Sequence, residues 1–187
     1  VHAHLRGAQS IKNFLRAGGD VVVHGTGMDD EGIELMLKGN HIMLPTLLSP
    51  SPEPSKEMLQ AKTQAVVDLL ARTAERHWES ARRAYQAGVV MAFSTDCGTL
   101  GNHIGTNALE FENLVKIGMK PVEALRAATS VAARVTGMEQ RIGKLLPGYQ
   151  ADIVVLNGNP LEHIEETAHV RMTIKGGKVV YCKDWEF

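Results

Sequence analysis

Polar side chains capable of acid–base and metal chemistry stand at the ends of short apolar runs in this chain. They are His4, His24, Thr46 and Asp96. Each lies at or just past a segment whose composition is typical of a buried strand. Since the carboxyl ends of parallel strands meet at one edge of a sheet, such residues converge from distant parts of a sequence. Imidazole and carboxylate groups together form a ligand set for a divalent ion such as zinc.

A metal ion held at that edge implies hydrolytic chemistry. A catalytic metal keeps one position open for water and lowers the pKa of that water to about 7. A carboxylate beside the water can take its proton and pass it to a leaving group. Asp96 is the candidate for that role, with His4 and His24 as the imidazole ligands.

Each of these residues also has a purely structural interpretation. A histidine at a strand end is often a hydrogen-bonded cap, and Asp96 can accept backbone N–H groups in the turn at Cys97 and Gly98. Three such residues at three strand ends favour a shared site. Spacing alone leaves the metal site and the structural interpretation both open.

The elements that must position these residues alternate along the first 140 residues. Strands are predicted at Val1–His4, Val21–His24, His41–Leu44 and Val89–Phe93. Helices are predicted at Ser10–Ala17, from Asp29 to Gly39, at Lys56–Ala87 as one long helix or two abutting ones, at Thr106–Ile117 and at Pro121–Thr136. Three prolines exclude helix interior and central strand between Leu47 and Ser55. This repetition predicts parallel strands with crossover helices, in an α/β sheet or barrel.

The character of the chain changes after residue 140. Short strands are predicted at Ile153–Leu156, Val170–Ile174 and Lys178–Tyr181, the last two joined as a hairpin at Gly176-Gly177. We therefore expect two parts, residues 1–140 with the parallel strands and residues 141–187 as a small β layer.

Composition excludes several classes of protein. The 187 residues are 44% hydrophobic and carry 20 Lys+Arg against 21 Asp+Glu, a net charge of −1. This balance provides no field of one sign for nucleic acid or a membrane surface. No apolar run approaches the roughly 20 residues that span a bilayer. Two cysteines cannot form a disulfide framework, which predicts a reducing, cytoplasmic location.

The order of several motifs is specific. The first half carries His4, Ala17-Gly18-Gly19-Asp20, His24-Gly25, Asp29-Asp30-Glu31-Gly32-Ile33 and Leu44-Pro45-Thr46-Leu47. The second half carries Ser94-Thr95-Asp96-Cys97-Gly98, Asn107 through Glu110, Gly118-Met119-Lys120-Pro121-Val122-Glu123-Ala124-Leu125 and Pro147-Gly148-Tyr149-Gln150-Ala151-Asp152. Together these motifs resemble the amidohydrolase superfamily. The most similar group is imidazolonepropionase-like and includes prolidase- and arginine-carboxypeptidase-like hydrolases.

The resemblance implies a fold and a set of roles. Residues 1–140 correspond to strands five to eight of a TIM (β/α)8 barrel, its C-terminal half, and residues 141–187 to part of a composite β-sandwich. By position, His4 matches the metal-ligand histidine of strand five and His24 that of strand six. Asp96 matches the ligand and proton-shuttle aspartate of strand eight. His103 resembles a substrate-contacting histidine, and Thr46 either lines the pocket or simply makes a turn.

The resemblance also implies an activity. The parent protein is expected to hydrolyse C–N bonds of amides, peptides or cyclic amides with one or two zinc or other divalent ions. Its substrate would be a small molecule or dipeptide-like, with His24 or His103 steadying the developing oxyanion. Two alternatives remain: a catalytically inactive half-barrel scaffold or self-associating module, and a deaminase of a nucleobase-like ring.

Part of the family pattern lies outside this sequence. A complete barrel of this type has ~250 residues, and the strand-one His-x-His pair and the strand-four lysine of the family have no match. A half barrel would leave two unpaired parallel edges, which invite association. We therefore expect either a fragment lacking its N-terminal half or a homo-oligomer in which two half barrels close on each other.

The remaining histidines are expected to be structural. His77 falls in the long predicted helix among Arg76, Arg82 and Arg83, which predicts a solvated face. His41, His163 and His169 lie away from the predicted site.

Overall fold

The structure is a computed structural model that describes residues 1–49, 51, 56–99 and 101–183, apart from the side chains of residues 57, 58 and 61. Most of the proline-containing loop, residues 50 and 52–55, therefore lies outside the described residues.

Four parallel strands form the larger sheet, in the order β1-β2-β3-β4. They are β1 (His2–Arg6), β2 (Val21–Thr26), β3 (Ile42–Leu44) and β4 (Val90–Met91). The helices between them are α1 (Ala8–Arg16), α2 (Asp30–Lys38), α3 (Lys56–Ala61) and α4 (Gln64–Gln86). The crossover connections are those that parallel pairing requires. The predicted α/β class is confirmed.

The ends of α2 show why the chain folds locally as it does. Asp29 caps this helix, because its Oδ1 accepts the N–H of Gly32 at 2.9 Å. Asp30 and Glu31 occupy the first turn and Lys38 the last, the charge distribution that a helix dipole favours. The helix packs Ile33 and Met36 into the main core, beside Ile11 of α1.

The long segment predicted at Lys56–Ala87 is two helices rather than one, and α4 is the longer. The buried residues of α4 are small apart from one imidazole: Ala74, His77, Ser80, Ala81 and Ala84. Small side chains let a helix approach a sheet closely, and α4 packs directly on β2.

Strand β4 is shorter than its predicted range, Val89–Phe93. The N–H of Ala92 still donates to the Met43 carbonyl at 2.9 Å, but that of Phe93 donates to the Ala127 carbonyl at 3.0 Å. The chain thus leaves the sheet at Phe93 and bonds to a helix instead.

The helical region after β4 also differs from the prediction. Helix α5 (Leu109–Lys116) begins three residues later than expected, because residues 103–110 make successive turns. The second predicted helix contains α6 (Pro121–Arg126), a π-helical turn at Ala127–Val131 and α7 (Ala132–Val135). The π-helical turn includes the carbonyl that receives the Phe93 N–H.

The smaller sheet is antiparallel, in the order β5-β6-β7. Its strands are β5 (Ile153–Leu156), β6 (Val170–Lys175) and β7 (Lys178–Cys182). Gly176 and Gly177 have φ values of 57° and 79°. Positive φ at both central residues is the geometry of a two-residue hairpin turn that glycine favours. A 3-10 turn at Ile164–Ala168 packs against α5 and brings Ile164 into the main core.

Two further findings concern the cysteines and the helices. Cys97 and Cys182 are free thiols. Within the described ranges, no helix combines the length and apolarity that crossing a bilayer requires.

Candidate functional site

The ends of β1 and β2 bring two imidazoles together. In the parallel register His4 pairs with Val23, and His24 pairs with Leu5. The Nδ1 atom of His4 lies 2.9 Å from the Nε2 atom of His24. The ring centroids are 4.3 Å apart with planes at 76°, so the rings meet edge to face. His4 is exposed whereas the side chain of His24 is buried, with 2% relative exposure.

Thr46, just beyond β3, holds the other side of the His24 ring. Its Oγ1 donates to the Pro45 carbonyl at 2.6 Å and lies 2.6 Å from His24 Nδ1. Because the single hydroxyl proton goes to Pro45, Oγ1 must accept the proton of His24 Nδ1. His24 is therefore the Nδ1–H tautomer, and the lone pair of Nε2 is directed at His4.

Burial determines the protonation state of His24. Loss of solvent contact, with the nearby positive charges of His4 and Arg6, lowers the pKa of His24 to about 4, although Asp96 acts in the opposite direction. The ring is therefore neutral at pH 7, and a neutral imidazole is the form that binds a metal ion.

The backbone is strained at three consecutive strand ends. His24, Thr46 and Asp96 have φ values of 67°, 53° and 51°. Left-handed backbone at a non-glycine residue costs on the order of 1–3 kcal/mol and is concentrated at functional sites. Threonine is especially unfavourable there because its side chain is β-branched.

Asp96 stands on the same edge but is held differently. Its side chain is exposed, and it acts on His24 electrostatically. The turn around it is held through the main chain, since Asn102 Nδ2 donates to the carbonyls of Thr95 at 2.7 Å and Asp96 at 3.0 Å. Asn102 is itself buried, with 4% relative exposure.

The structure thus brings together two of the three predicted metal ligands. Throughout residues 1–49, 51, 56–99 and 101–183, no three His, Cys, Asp or Glu side chains are gathered closely enough to share an ion. His4 and His24 nevertheless present two nitrogens to each other at 2.9 Å. Two nitrogens on one tetrahedral zinc lie about 3.4 Å apart. The donor chemistry of the imidazole pair suits such an ion, although the two nitrogens are closer here than on a bound zinc. The ligand role of His4, His24 and Asp96 stays a prediction.

The prediction for His77 was wrong. This side chain is fully buried, not solvated, and its Nδ1 lies 3.0 Å from Thr26 Oγ1 at the end of β2. Its ring centroid is 6.1 Å from that of His24. Burial, followed by repulsion from His24 when that ring is protonated, lowers the pKa of His77 to about 4. Its position was detectable from the sequence, because Ala74, His77, Ala81 and Ala84 follow the spacing of a buried helix stripe.

Glu110 was noted in the sequence only as part of a motif, and its environment was not anticipated. It lies in the first turn of α5 and is fully buried. Its Oε1 accepts the N–H of Leu47 at 2.8 Å and its Oε2 the N–H of Leu48 at 2.9 Å. Burial raises the pKa of Glu110 to about 8, although both N–H groups oppose that change. The Leu47 carbonyl accepts the indole N–H of Trp78 at 3.2 Å.

His103 lies in the exposed turns between Asp96 and α5. Its carbonyl accepts the N–H of Thr106 at 3.2 Å and the Thr106 hydroxyl at 2.8 Å. Its predicted contact with substrate stays a prediction. The structure does place Thr46 beside the imidazole pair.

Comparison with known proteins gives the family of this chain. The sequence pattern of the amidohydrolase family matches residues 1–180. Ochratoxinase from Aspergillus niger is 33% identical over 96% of this chain and 37% of its own length. Imidazolonepropionase from Geobacillus kaustophilus is 38% identical over 54% of this chain and 24% of its own length.

Solved structures give the same result. A Xaa-Pro dipeptidase with methionine bound in its active site superposes with a TM-score of 0.87 and 32% identity, over 97% of this chain and 44% of the dipeptidase. A prolidase complexed with N-methylphosphonate-L-proline superposes with a TM-score of 0.83 and 29% identity, over 98% and 45% of the two chains. The chain thus spans less than half the length of these relatives. It belongs to the amidohydrolase family.

Proposed function

We propose that the protein carrying this chain is a metal-dependent hydrolase of C–N bonds. One observation carries the proposal: two imidazole nitrogens face each other at 2.9 Å on the edge of a parallel sheet, with Asp96 within electrostatic range of one ring. Membership of the amidohydrolase family supports the same chemistry.

His4, His24 and Asp96 would hold the ion, with zinc as the leading candidate. A divalent ion, when bound, polarises the substrate carbonyl and lowers the pKa of a water molecule. The chain's own residues do the rest. Thr46 keeps the proton of His24 on Nδ1 and so leaves Nε2 unprotonated, the form of that atom that can bind an ion.

Asp96 is the proposed proton carrier. Its exposed carboxylate can take a proton from the attacking water and deliver it to the leaving nitrogen. His103, in the loop that follows, is the proposed substrate contact, and His24 or His103 steadies the negative charge that develops on the carbonyl oxygen.

We propose a dipeptide-like or other small amide as the substrate, since a Xaa-Pro dipeptidase and a prolidase superpose over nearly the whole chain. We also propose that the parallel sheet, residues 1–140, is half of a barrel completed by further strands or by a second copy. Residues 141–187 then form part of a β-sandwich. The two free cysteines are compatible with a cytoplasmic location.

Metal analysis tests the proposal most directly. The protein is purified without chelators, its zinc content is measured by mass spectrometry, and the variants His4→Ala, His24→Ala and Asp96→Ala are compared with His163→Ala. His163 is an exposed histidine beside the small sheet and serves as the control. We expect stoichiometric metal in the wild type and control, and its loss in the other three.

A folded wild-type protein that holds no metal would instead favour a non-catalytic scaffold.

A second experiment assays the activity of the wild-type protein with dipeptides and cyclic amides. Release of an amino acid supports the peptide hydrolase, whereas release of ammonia alone supports deamination.

A further inference from the structure

A buried carboxyl group contacts the residues that follow Thr46 and has no part in the proposed chemistry. Glu110 is fully buried, and its two oxygens accept the N–H groups of two consecutive residues, Leu47 and Leu48, at 2.8 and 2.9 Å. The buried side chain of Asn113, one turn further along α5, hydrogen-bonds to the same carboxyl group. Burying a carboxyl group is costly unless it is hydrogen-bonded. Here each oxygen has a partner.

The segment bound by Glu110 is the one that orients His24. Leu47 directly follows Thr46, whose hydroxyl oxygen accepts the proton of His24 Nδ1 at 2.6 Å. Leu47 is held from both sides, because its N–H reaches Glu110 and its carbonyl reaches the Trp78 indole. Its side chain is also fully buried.

This restraint acts where the backbone would otherwise relax. Thr46 has a φ of 53°, and strain of this kind persists only where the surroundings over-determine it. Three hydrogen bonds to Leu47 and Leu48 hold the backbone next to Thr46 in this way. Without them, the threonine can return to an extended or helical backbone, which would move its hydroxyl away from His24.

We infer that Glu110 is a positioning residue for His24, which acts by clamping Leu47 and Leu48 so that Thr46 fixes the imidazole tautomer. The chemical use of that tautomer rests on the proposed function, but the clamp itself does not. Outer partners of metal-binding histidines commonly change metal affinity or activity about 10- to 100-fold when they are removed.

Glu110→Gln is the first test. A glutamine has only one oxygen, so its NH2 group must face one of the two backbone N–H groups, and the clamp loses a bond. Glu112→Gln, on the same helix but only half-buried, is the matched control. The full protein is labelled with 15N, and the His24 ring is followed by long-range 1H–15N correlation. This measurement distinguishes the two imidazole tautomers.

We expect a single Nδ1–H tautomer at His24 in the wild type and in Glu112→Gln, and loss of that single tautomer in Glu110→Gln. Glu110→Asp, which keeps both acceptor oxygens on a shorter side chain, should restore part of the wild-type signal. An unchanged His24 ring in Glu110→Gln overturns the inference.

A double-mutant cycle tests the route through Thr46. Thr46→Val removes the acceptor while keeping the β-branched shape. We expect Glu110→Gln to change the His24 signal no further in the Thr46→Val background. If Glu110→Gln changes the His24 signal equally with and without the Thr46 hydroxyl, Glu110 does not act through Thr46.

A second variant decides if Glu110→Gln does not fold. Trp78→Phe frees the Leu47 carbonyl and should shift the His24 tautomer in the same direction. An unchanged signal in Trp78→Phe then overturns the inference.

Activity gives a separate readout. We expect kcat to fall about 10-fold or more in Glu110→Gln, with KM changed much less, because the substrate contacts remain. A wild-type protein with neither metal nor activity would refute the proposed function. The His24 tautomer measurement would still decide whether Glu110 positions that ring.

Discussion

The two sides of the candidate site are built in different ways. On the imidazole side, formed by His4, His24 and Thr46, side chains bond to one another and His24 and Thr46 are buried. On the carboxylate side, formed by residues 95–98, Asn102 holds the main chain while the Asp96 side chain is exposed. Both sides use left-handed backbone at the strand end.

This difference matches the chemistry proposed for each side. A ligand benefits from a fixed orientation and tautomer, which buried hydrogen bonds provide. A proton carrier must meet water first and the leaving group later, which exposure permits. Substitutions on the imidazole side should therefore change stability and function together. Substitutions of the Asp96 side chain should change function alone.

The largest expected effect is that of Asp96→Asn. Loss of the proton carrier should lower kcat about 100- to 10,000-fold for an amide substrate, because general acid–base catalysis contributes about that factor. The midpoint of thermal unfolding should equal that of the control variant Asp68→Asn within experimental error, since both side chains are exposed. Activity within twofold of the wild type, in a folded variant, would refute the assignment of Asp96.

The pH dependence of stability should come from buried titratable groups on or next to the imidazole side, above all His77. His77 has a pKa of about 4 when folded and about 6.5 when unfolded, so the unfolded chain binds its proton first as the pH falls. Its contribution is complete above pH 6.5 and is lost between pH 6.5 and 4, on the order of 3 kcal/mol. His24 follows the same direction.

The measurement is the free energy of unfolding by urea at several pH values. Glu110 acts with the opposite sign between its unfolded pKa of 4.5 and its folded pKa of about 8, so wild type and His77→Asn must be compared. We expect the variant to lose less stability than the wild type between pH 6.5 and 4. Parallel curves for the two proteins would show that His77 is not buried in its neutral form.

Asn102→Ala removes the side-chain amide that holds the main chain of the carboxylate side, and it leaves the Asp96 carboxylate in place. It leaves the carbonyls of Thr95 and Asp96 without the side-chain amide, at a cost of about 2 kcal/mol in the free energy of unfolding. We expect kcat to fall as well, but by less than in Asp96→Asn. Denaturant unfolding and steady-state kinetics check both. The control is Asn13→Ala, whose exposed amide oxygen accepts a hydrogen bond from Gln9 Nε2 at 2.8 Å. Equal costs in the two variants would argue against a buried role for Asn102.

The smallest effect compares two glycines, one on each side. Gly25 follows His24 with a φ of 69°, and an added Cβ would lie 2.7 Å from the Met43 methyl group. Gly98 has a φ of 105°, and no heavy atom would lie within 4 Å of its Cβ. Both alanine variants lose stability through the backbone, but Gly25→Ala also overpacks the core. We expect it to cost about 1 kcal/mol more than Gly98→Ala by urea unfolding. Equal costs would mean that the packing of the two sides does not differ.

Much of the fold was predictable because hydrophobic periodicity reports burial. The runs ending at His24 and Leu44 are buried strands in a parallel sheet, as expected. The limits of β4 were not predictable, since they depend on a bond between Phe93 and a helix more than thirty residues away. The break between α3 and α4 likewise has no proline or glycine to mark it.

The contact between two of the candidate residues was predictable from the sequence, but the contacts that support them were not. Strand-end position indicated His24 and Thr46, which the structure places in contact. It could not indicate Glu110, because a glutamate in the first turn of a helix is ordinarily solvated. Helical spacing with Leu114 and Ile117 is the signal that the sequence offers. His77 was misassigned, since its arginine neighbours obscured the alanine stripe.

The π-helical turn at Ala127–Val131 has a consequence for comparing this chain with shorter or longer homologues. Such a turn contains one residue more than an α-helix of the same rise. Deleting that residue would convert the turn into regular α-helix without rotating α7, because the wider turn already absorbs the extra residue. The Ala127 carbonyl, which now accepts the Phe93 N–H, would then accept an N–H group of its own helix. A one-residue gap in an alignment belongs at this turn, and a gap placed elsewhere in the segment would misalign the residues leading to β5.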